Sequence, residues 1–280
     1  MSLKLQHLEP GVRKLRSDHV AVEEPLEIRV EFLAGSSWKT ESVSVTMRTP
    51  GHDFELAAGF LCSENILSSR EQVREISYCQ TEAPQEYNVL SVRLRDHVRF
   101  DPTLLTRNFY TSSSCGVCGK ASLEAVEVRG CQVLPSDTLA VEGHLVTSFP
   151  DLLLKGQAAF QRTGGLHAAG LFDPQGGLEV LREDVGRHNA VDKVIGHAFL
   201  EGALPRHDKV LVVSGRTSFE IIQKALMAGI PMVVAVGAPS SLAVDLARRF
   251  NMTLVGFARN GGFNLYTGEE RVLDWGAEGG

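Results

Sequence analysis

The chain has 280 residues, 43% of them apolar and 22% charged, with a formal net charge of −6 and an isoelectric point near 5.9. Such a composition predicts a folded protein with a sizeable core and excludes a disordered or fibrous chain. The acidic balance argues against a general electrostatic grip on nucleic acid, and no run of eighteen apolar residues is present to cross a membrane.

The opening segment MSLKLQHLEPGVRKLRSDHV reads as a polar tail without the apolar core of a secretory signal, so a cytoplasmic location is expected. Beyond it, EEPLEIRVEFLAG (23–35), KTESVSVTMR (39–48) and YNVLSVRLRDHV (87–98) have the alternation of half-buried strands. Between them TPGHDFELAAGFL turns at Pro50 and Gly51, then puts Leu56, Ala57, Phe60 and Leu61 on one helix face, with Asp53 placed to cap. Residues 1–110 therefore predict a small mixed β-rich domain. Residues 111–143 show too little apolar periodicity to fix a type and read as a connecting segment. From 144 to 280 strand and helix alternate: KVLVVSG, SFEIIQKALMAG, PMVVAVG, SSLAVDLARRF and TLVGFAR. That pattern predicts βαβ units on a mainly parallel sheet, and so an α/β domain in a chain that is α+β overall.

The connecting segment contains TSSSCGVCGK, with Cys115 and Cys118 three positions apart. The other cysteines, Cys62, Cys79 and Cys131, are isolated, and an odd total of five fits a reducing compartment better than a disulfide scaffold. These three are expected to be buried or incidental. A structural zinc site needs four ligands, usually from two close pairs, and neither His144 nor His167 supplies a second half-site, so no metal is expected. A thioredoxin-type motif should open a helix directly after a strand, whereas here the βαβ units come much later. A zinc deaminase should read H-x-E and P-C-x-x-C. His7-Leu8-Glu9 matches the first only formally, and Ser114 stands where the second needs proline. Gly116 and Gly119 leave the thiols without bulky neighbours, and Lys120 brings a positive charge that lowers a thiol pKa. A thiolate that attacks and carries suits this composition best.

Three further blocks suggest an anionic ligand. Ser214, Gly215, Arg216, Thr217 and Ser218 fall between a buried strand and a helix start, where free N–H groups and the helix dipole favour phosphate; the plainer reading is a turn with Thr217 or Ser218 capping the helix. Phe257, Ala258, Arg259, Asn260, Gly261 and Gly262 follow the last strand, with glycines that admit a close backbone approach or else make a hairpin turn. In REDVGRHNAVDK, Asp184, Arg187, His188 and Asn189 either bind the ligand or form a buried network. His167, flanked by small residues, is by default a satisfied core histidine, with a ligand role as the other reading.

These blocks, with MRTPGHDFELAAGFL, GGLHAAGLFD, VSGRTSFEIIQKA and GFARNGGFNLYTG in order, resemble the FdhD family over most of the chain. The resemblance implies a sulfurtransferase that receives sulfur from a cysteine desulfurase as a persulfide. The sulfur is then passed to the molybdenum cofactor, bis-molybdopterin guanine dinucleotide, destined for formate dehydrogenase or a related molybdoenzyme. It implies Cys115 as the carrier, with Cys118 assisting or resolving, and Phe257 to Gly262 as the segment meeting the guanine nucleotide ends, so that a guanine nucleotide such as GDP would occupy the same place. It also implies a homodimer and a C-terminal cytidine deaminase-like three-layer α/β/α domain without the deaminase's zinc. Two other readings stand beside it. A cofactor-binding chaperone would need the ligand blocks but no sulfur transfer, and a phosphosugar-binding domain would need neither cysteine.

Overall fold

The computed structural model describes residues 1–79, 87–102 and 130–274. Its first element is a hairpin that the polar composition of the N-terminus concealed: β1 (Ser2–Glu9) pairs with β2 (Val12–His19) across Pro10-Gly11. A Pro-Gly turn between two alternating runs was the available signal.

The next layer is a four-stranded sheet in the order β4 (Ser37–Arg48), β3 (Glu24–Ala34), β6 (Val89–Leu94), β5 (Val73–Tyr78). β3 is antiparallel to β4 and parallel to β6. Leu26, Ile28, Val30 and Phe32 alternate inward from β3, against α1 (Asp53–Ser63). Asp53 does not cap that helix. His52 occupies the cap position in the left-handed region (φ 56°) without a side-chain cap. The Asp53 carboxylate instead accepts from Arg48 Nη2 and from Tyr78 Oη, both at 2.9 Å. Arg48 and Asp53 are both buried, and a buried guanidinium with a buried carboxylate partner outcompetes a cap that water could replace.

The larger sheet has the order β13-β12-β11-β10-β8-β9: β8 (His167–Phe172), β9 (Leu178–Asp184), β10 (Val210–Val213), β11 (Met232–Ala235), β12 (Thr253–Arg259) and β13 (Gly262–Thr267). The expected mainly parallel sheet is in fact mixed. Only β10, β11 and β12 run parallel; β8, β9 and β13 join antiparallel. The links between β8 and β9 and between β12 and β13 are too short for a crossover helix, and short links force antiparallel pairing.

One face of this sheet carries α2 (Gly143–Gly156), whose Val146, Phe149 and Leu153 pack against Phe172, Val210, Val212 and Val234. Pro150 sits inside α2 and hid it from the sequence reading, since proline is expected to break a helix. A short α3 (Ala158–Thr163) follows. The opposite face carries α4 (Arg187–Leu200), α5 (Phe219–Met227) and α6 (Ser241–Arg249), which completes a three-layer α/β/α arrangement. Short parallel β7 (Val141–Glu142) and β14 (Val272–Leu273) close the chain's end against the start of α2.

α1 packs directly on α4, and one apolar cluster runs from Leu26 and Ile28 through Leu56 and Leu61 to Val191, Ile195, Leu211 and Val233. The helices meet through Gly59 and Gly196: a Cβ on Gly59 would overlap the Asp192 carbonyl, and one on Gly196 the Glu55 carbonyl. Close approach brings polar groups together as well. Glu55 of α1 accepts from Arg182 Nη2 at 2.6 Å, while Asp192 of α4 pairs with Lys224 of α5 at 2.8 Å and accepts from Ser63 of α1 at 3.0 Å.

Candidate ligand-binding site

The carboxyl ends of β10, β11 and β12 form a continuous backbone shelf. The loop after β10 and the loop after β11 lie side by side: Gly237 N donates to Gly215 O (3.1 Å), Thr217 N to Ala238 O (3.2 Å) and Ser240 N to Thr217 O (3.0 Å), with a parallel bridge between Thr217 and Pro239. Phe257 N then donates to Gly237 O at 3.1 Å, tying the third strand in. Glycine at 237 suits this close approach, because a Cβ there would sit 3.0 Å from the Arg216 backbone and push it aside. The loop Val236 to Ser240 was missed in the sequence. Its signal was the internal likeness of VVSGRTS to VAVGAPS, two strand-to-helix turns of the same length.

Most of the expected ligand residues meet at this shelf. Because β8 runs antiparallel to β10, its first residue, His167, lies beside the end of β10; a Cβ on Gly215 would sit 3.4 Å from His167 Nδ1 and 3.9 Å from Arg187 Cδ. Ser214 is partly consumed by structure, since its hydroxyl accepts from Ala168 N at 2.8 Å and staples β8 to β10. Ser218 holds the N-cap position of α5 but makes no capping bond with its side chain; its Oγ lies 3.3 Å from His188 Nε2 instead. Thr217 is 1% exposed, and its Oγ1 has no hydrogen-bond partner among the described residues. Arg187 Nε is in the same condition, buried at the first turn of α4. An orphaned donor or acceptor costs about 1–3 kcal/mol, and these two lie next to the N-termini of α5 and α4, the kind of terminus that favours an anion. Arg216 and Arg259 add exposed positive charge at the rim.

The last strand contributes differently. Asn260 (φ 53°) and Gly261 (φ 76°) make the two-residue turn between Arg259 and Gly262, so the hairpin reading of GFARNGGFN holds structurally. Ala258 points into the core on the α2 side. Phe257 is half exposed and held at φ 53° beside a bulge. That conformation is costly for a bulky residue, and it presents an aromatic ring next to the Arg259 guanidinium, 5.8 Å from its centroid.

The block REDVGRHNAVDK divides between the two readings left open for it. Asp184 and Asn189 are structural: Asp184 accepts from Thr49 N (3.1 Å), Gly186 N (2.8 Å) and Asn189 Nδ2 (3.0 Å) and pairs with buried Lys193 at 2.7 Å. Asn189 Nδ2 also donates to Met47 O at 2.8 Å, which latches the head of α4 to the small sheet. Arg187 and His188 face the shelf instead.

Electrostatics keep both histidines neutral. Burial lowers His167, and Arg187 adds to the effect. Burial pushes His188 down to about 4, helped by Lys224 and Arg187 and opposed by Glu220. A histidine whose folded pKa lies below its unfolded value stabilises the fold above the unfolded pKa. Stability is lost as pH falls from the ordinary histidine value near 6.5 toward about 4. Accordingly, the His188 ring carbons in a two-dimensional NMR titration are expected to hold their neutral shifts from pH 8 to pH 5; a midpoint near 6.5 would contradict this environment.

Cys115 and Cys118 lie outside the described residues. Burial raises Cys62 to about 12 and also raises Cys79, which keeps both as thiols near neutrality. Cys131 sits half-buried with Sγ 3.4 Å from Met227 Sδ. Among the described residues no cluster of three or more His, Cys, Asp or Glu is placed to hold a metal ion, and no helix is long and apolar enough to cross a membrane.

A model of the FdhD/NarQ family matches residues 21–273. The chain belongs to that family. Curated relatives named sulfur carrier protein FdhD include one from Streptomyces avermitilis, 48% identical over 274 residues, with 96% of this chain and 94% of the relative covered. Another, from Mycolicibacterium paratuberculosis, is 50% identical over 272 residues, with coverages of 96% and 97%. Among solved structures, a chain from Desulfotalea psychrophila described provisionally as a formate dehydrogenase accessory protein superposes with a TM-score of 0.74 at 27% identity, covering 98% of this chain and 99% of that one. The family's match includes both thiols and every residue of the shelf.

Proposed function

We propose that the protein is a cytoplasmic, homodimeric sulfur carrier. It takes sulfur from a cysteine desulfurase onto Cys115 and delivers it to the molybdenum cofactor, bis-molybdopterin guanine dinucleotide, held at the shelf and destined for formate dehydrogenase or a related molybdoenzyme. The observation that carries this reading is the juxtaposition of orphaned Thr217 Oγ1 and Arg187 Nε with two helix N-termini in a chain of the FdhD/NarQ family. Phosphates of a dinucleotide suit those groups, and Phe257 beside the Asn260-Gly261 turn suits a flat base, so GDP alone is expected to compete for the site.

In the first step the Cys115 thiolate attacks the terminal sulfur of the donor's persulfide. A sulfur–sulfur bond forms at Cys115 as the donor's sulfur–sulfur bond breaks, the donor cysteine leaves as thiolate, and no net oxidation occurs. In the second, Cys118 attacks Cys115, the two close a disulfide, and the terminal sulfur departs as sulfide toward the metal. The electron pair that reduces the sulfur comes from the two thiols. The neutral histidines His167 and His188, with the shelf, would hold the cofactor's nucleotide and phosphate ends.

Intact-protein mass spectrometry after incubation with a cysteine desulfurase and cysteine tests the proposal. The wild-type chain and Cys118→Ala are expected to gain reductant-sensitive sulfur mass, and Cys115→Ala to gain none. If an active donor loads neither thiol, sulfur transfer fails and a cofactor-binding chaperone is the better account, because the shelf would serve it equally.

A further inference from the structure

The β1–β2 ribbon pairs with neither larger sheet. Two strands alone are marginally stable in water and need cover. The register sorts their side chains. One face carries the only two half-buried residues of the ribbon, Leu5 and His7, together with both of its acids, Glu9 and Asp18; Glu9 is already matched there by His7 at 3.1 Å and Lys14 at 3.8 Å. The opposite face carries Lys4, Leu8, Arg13 and Leu15, has no acidic residue, and is exposed throughout, Leu8 to 63% and Leu15 to 81%. An apolar and cationic strip of this kind calls for a partner that is acidic and offers apolar surface.

We propose that the face of Lys4, Leu8, Arg13 and Leu15 is an interface between two copies of the chain, each ribbon lying on the body of the other protomer. Charge selects this occupant. Residues 1–19 carry four cationic and two acidic side chains in a chain whose total is −6, so the body left after removing the ribbon is more acidic than the whole. A second copy therefore presents the complementary sign, and a two-fold exchange uses both ribbons at once, burying a surface that one ribbon by itself leaves wet. Residues 1–20 lie ahead of the stretch matched by the family model. The inference rests on the homodimer reading above and is independent of sulfur transfer.

Sedimentation velocity on the full chain tests it with the double variants Leu8→Asp/Leu15→Asp and Lys4→Glu/Arg13→Glu. The wild-type chain is expected to sediment as a dimer. The first variant is expected to raise the dimer Kd by at least about 100-fold, in line with the loss of central apolar anchors. The second is expected to raise it about tenfold at low salt and less at high salt. Far-UV circular dichroism should be unchanged in both, because all four side chains point into solvent within the protomer, while the melting temperature should fall as the dimer is lost. A dimer that survives both variants unchanged places the interface elsewhere and overturns this assignment while leaving the homodimer reading intact. A monomeric wild-type chain overturns both readings. A monomer that pellets with phosphatidylserine vesicles gives the face to a lipid surface and overturns it equally.

Discussion

Gly196→Ala is expected to destabilise the chain by about 3 kcal/mol or more, with a fall in melting temperature on the order of 10 °C. The added methyl would overlap the Glu55 carbonyl, and Gly59→Ala would collide in the same way with the Asp192 carbonyl. Backbone cannot rotate away as a side chain can, so α1 and α4 must separate. Separation strains everything that depends on their spacing, including the Glu55–Arg182 pair and the Ser63–Asp192 bond. Overpacking of a close-packed core usually costs 1–3 kcal/mol, and a clash against main chain on both helices falls at or above the top of that range. Differential scanning calorimetry of Gly59→Ala, Gly196→Ala and the exposed control Gly35→Ala checks the prediction. The control removes a glycine with open space around it but with φ 66°, so it reports the cost of the backbone conformation without a steric clash.

Lys224→Met is expected to cost roughly 3–5 kcal/mol, the usual penalty for leaving one partner of a buried ion pair alone. Asp192 is buried, and Lys224 supplies two bonds to it, at 2.8 and 2.9 Å; Ser63 supplies a third. Burial already raises the Asp192 pKa against the pull of Lys224. A carboxyl whose folded pKa lies above its unfolded value binds more protons in the folded state, so its contribution to stability falls as pH rises past the ordinary carboxylate range. Loss of the ammonium steepens that dependence, and the gap between Lys224→Met and the wild-type chain should widen from pH 5 to pH 8 in denaturant titrations. Lys224→Met combined with Asp192→Leu is expected to recover most of the loss, since removing both charges leaves neither uncompensated. A gap that stays constant with pH would show that the carboxylate is solvated after all. The same lysine helps hold His188 down, so the single variant should also shift the histidine's titration upward.

Local periodicity made much of this architecture readable, and most of what it hid was long-range. β3, β4, β6, β10, β11 and β12 each alternate or run apolar in a way that strands require, and α5 and α6 follow turn signals closely. α2 was hidden because Pro150 imitates a helix stop. The sheet's mixed direction was hidden because strand direction depends on loop reach rather than on strand composition. At the site, the residues near the end of β10 were readable as a strand-to-helix turn, whereas the division of REDVGRHNAVDK into structural Asp184 and Asn189 and shelf-facing Arg187 and His188 was not. Asp184 ends β9 and Arg187, His188 and Asn189 open α4, and which way each side chain turns is decided by neighbouring elements; here the deciding neighbours, Met47 and Thr49, are more than 130 positions away in the chain. Asp53 shows a related effect: the sequence offers a cap, and buried Arg48, five residues back, claims it together with Tyr78 from β5.

The lateral bonds from Gly215 to Gly237 to Phe257 join two loops and the bulged end of β12 into one edge. Loops of this kind ordinarily lose conformational freedom when something binds, and that loss is subtracted from affinity. On the function proposed above, these bonds already tie the edge together before a ligand arrives, so less of that freedom is left to lose on binding. Fit at the edge is then expected to weigh more in discrimination than rearrangement does.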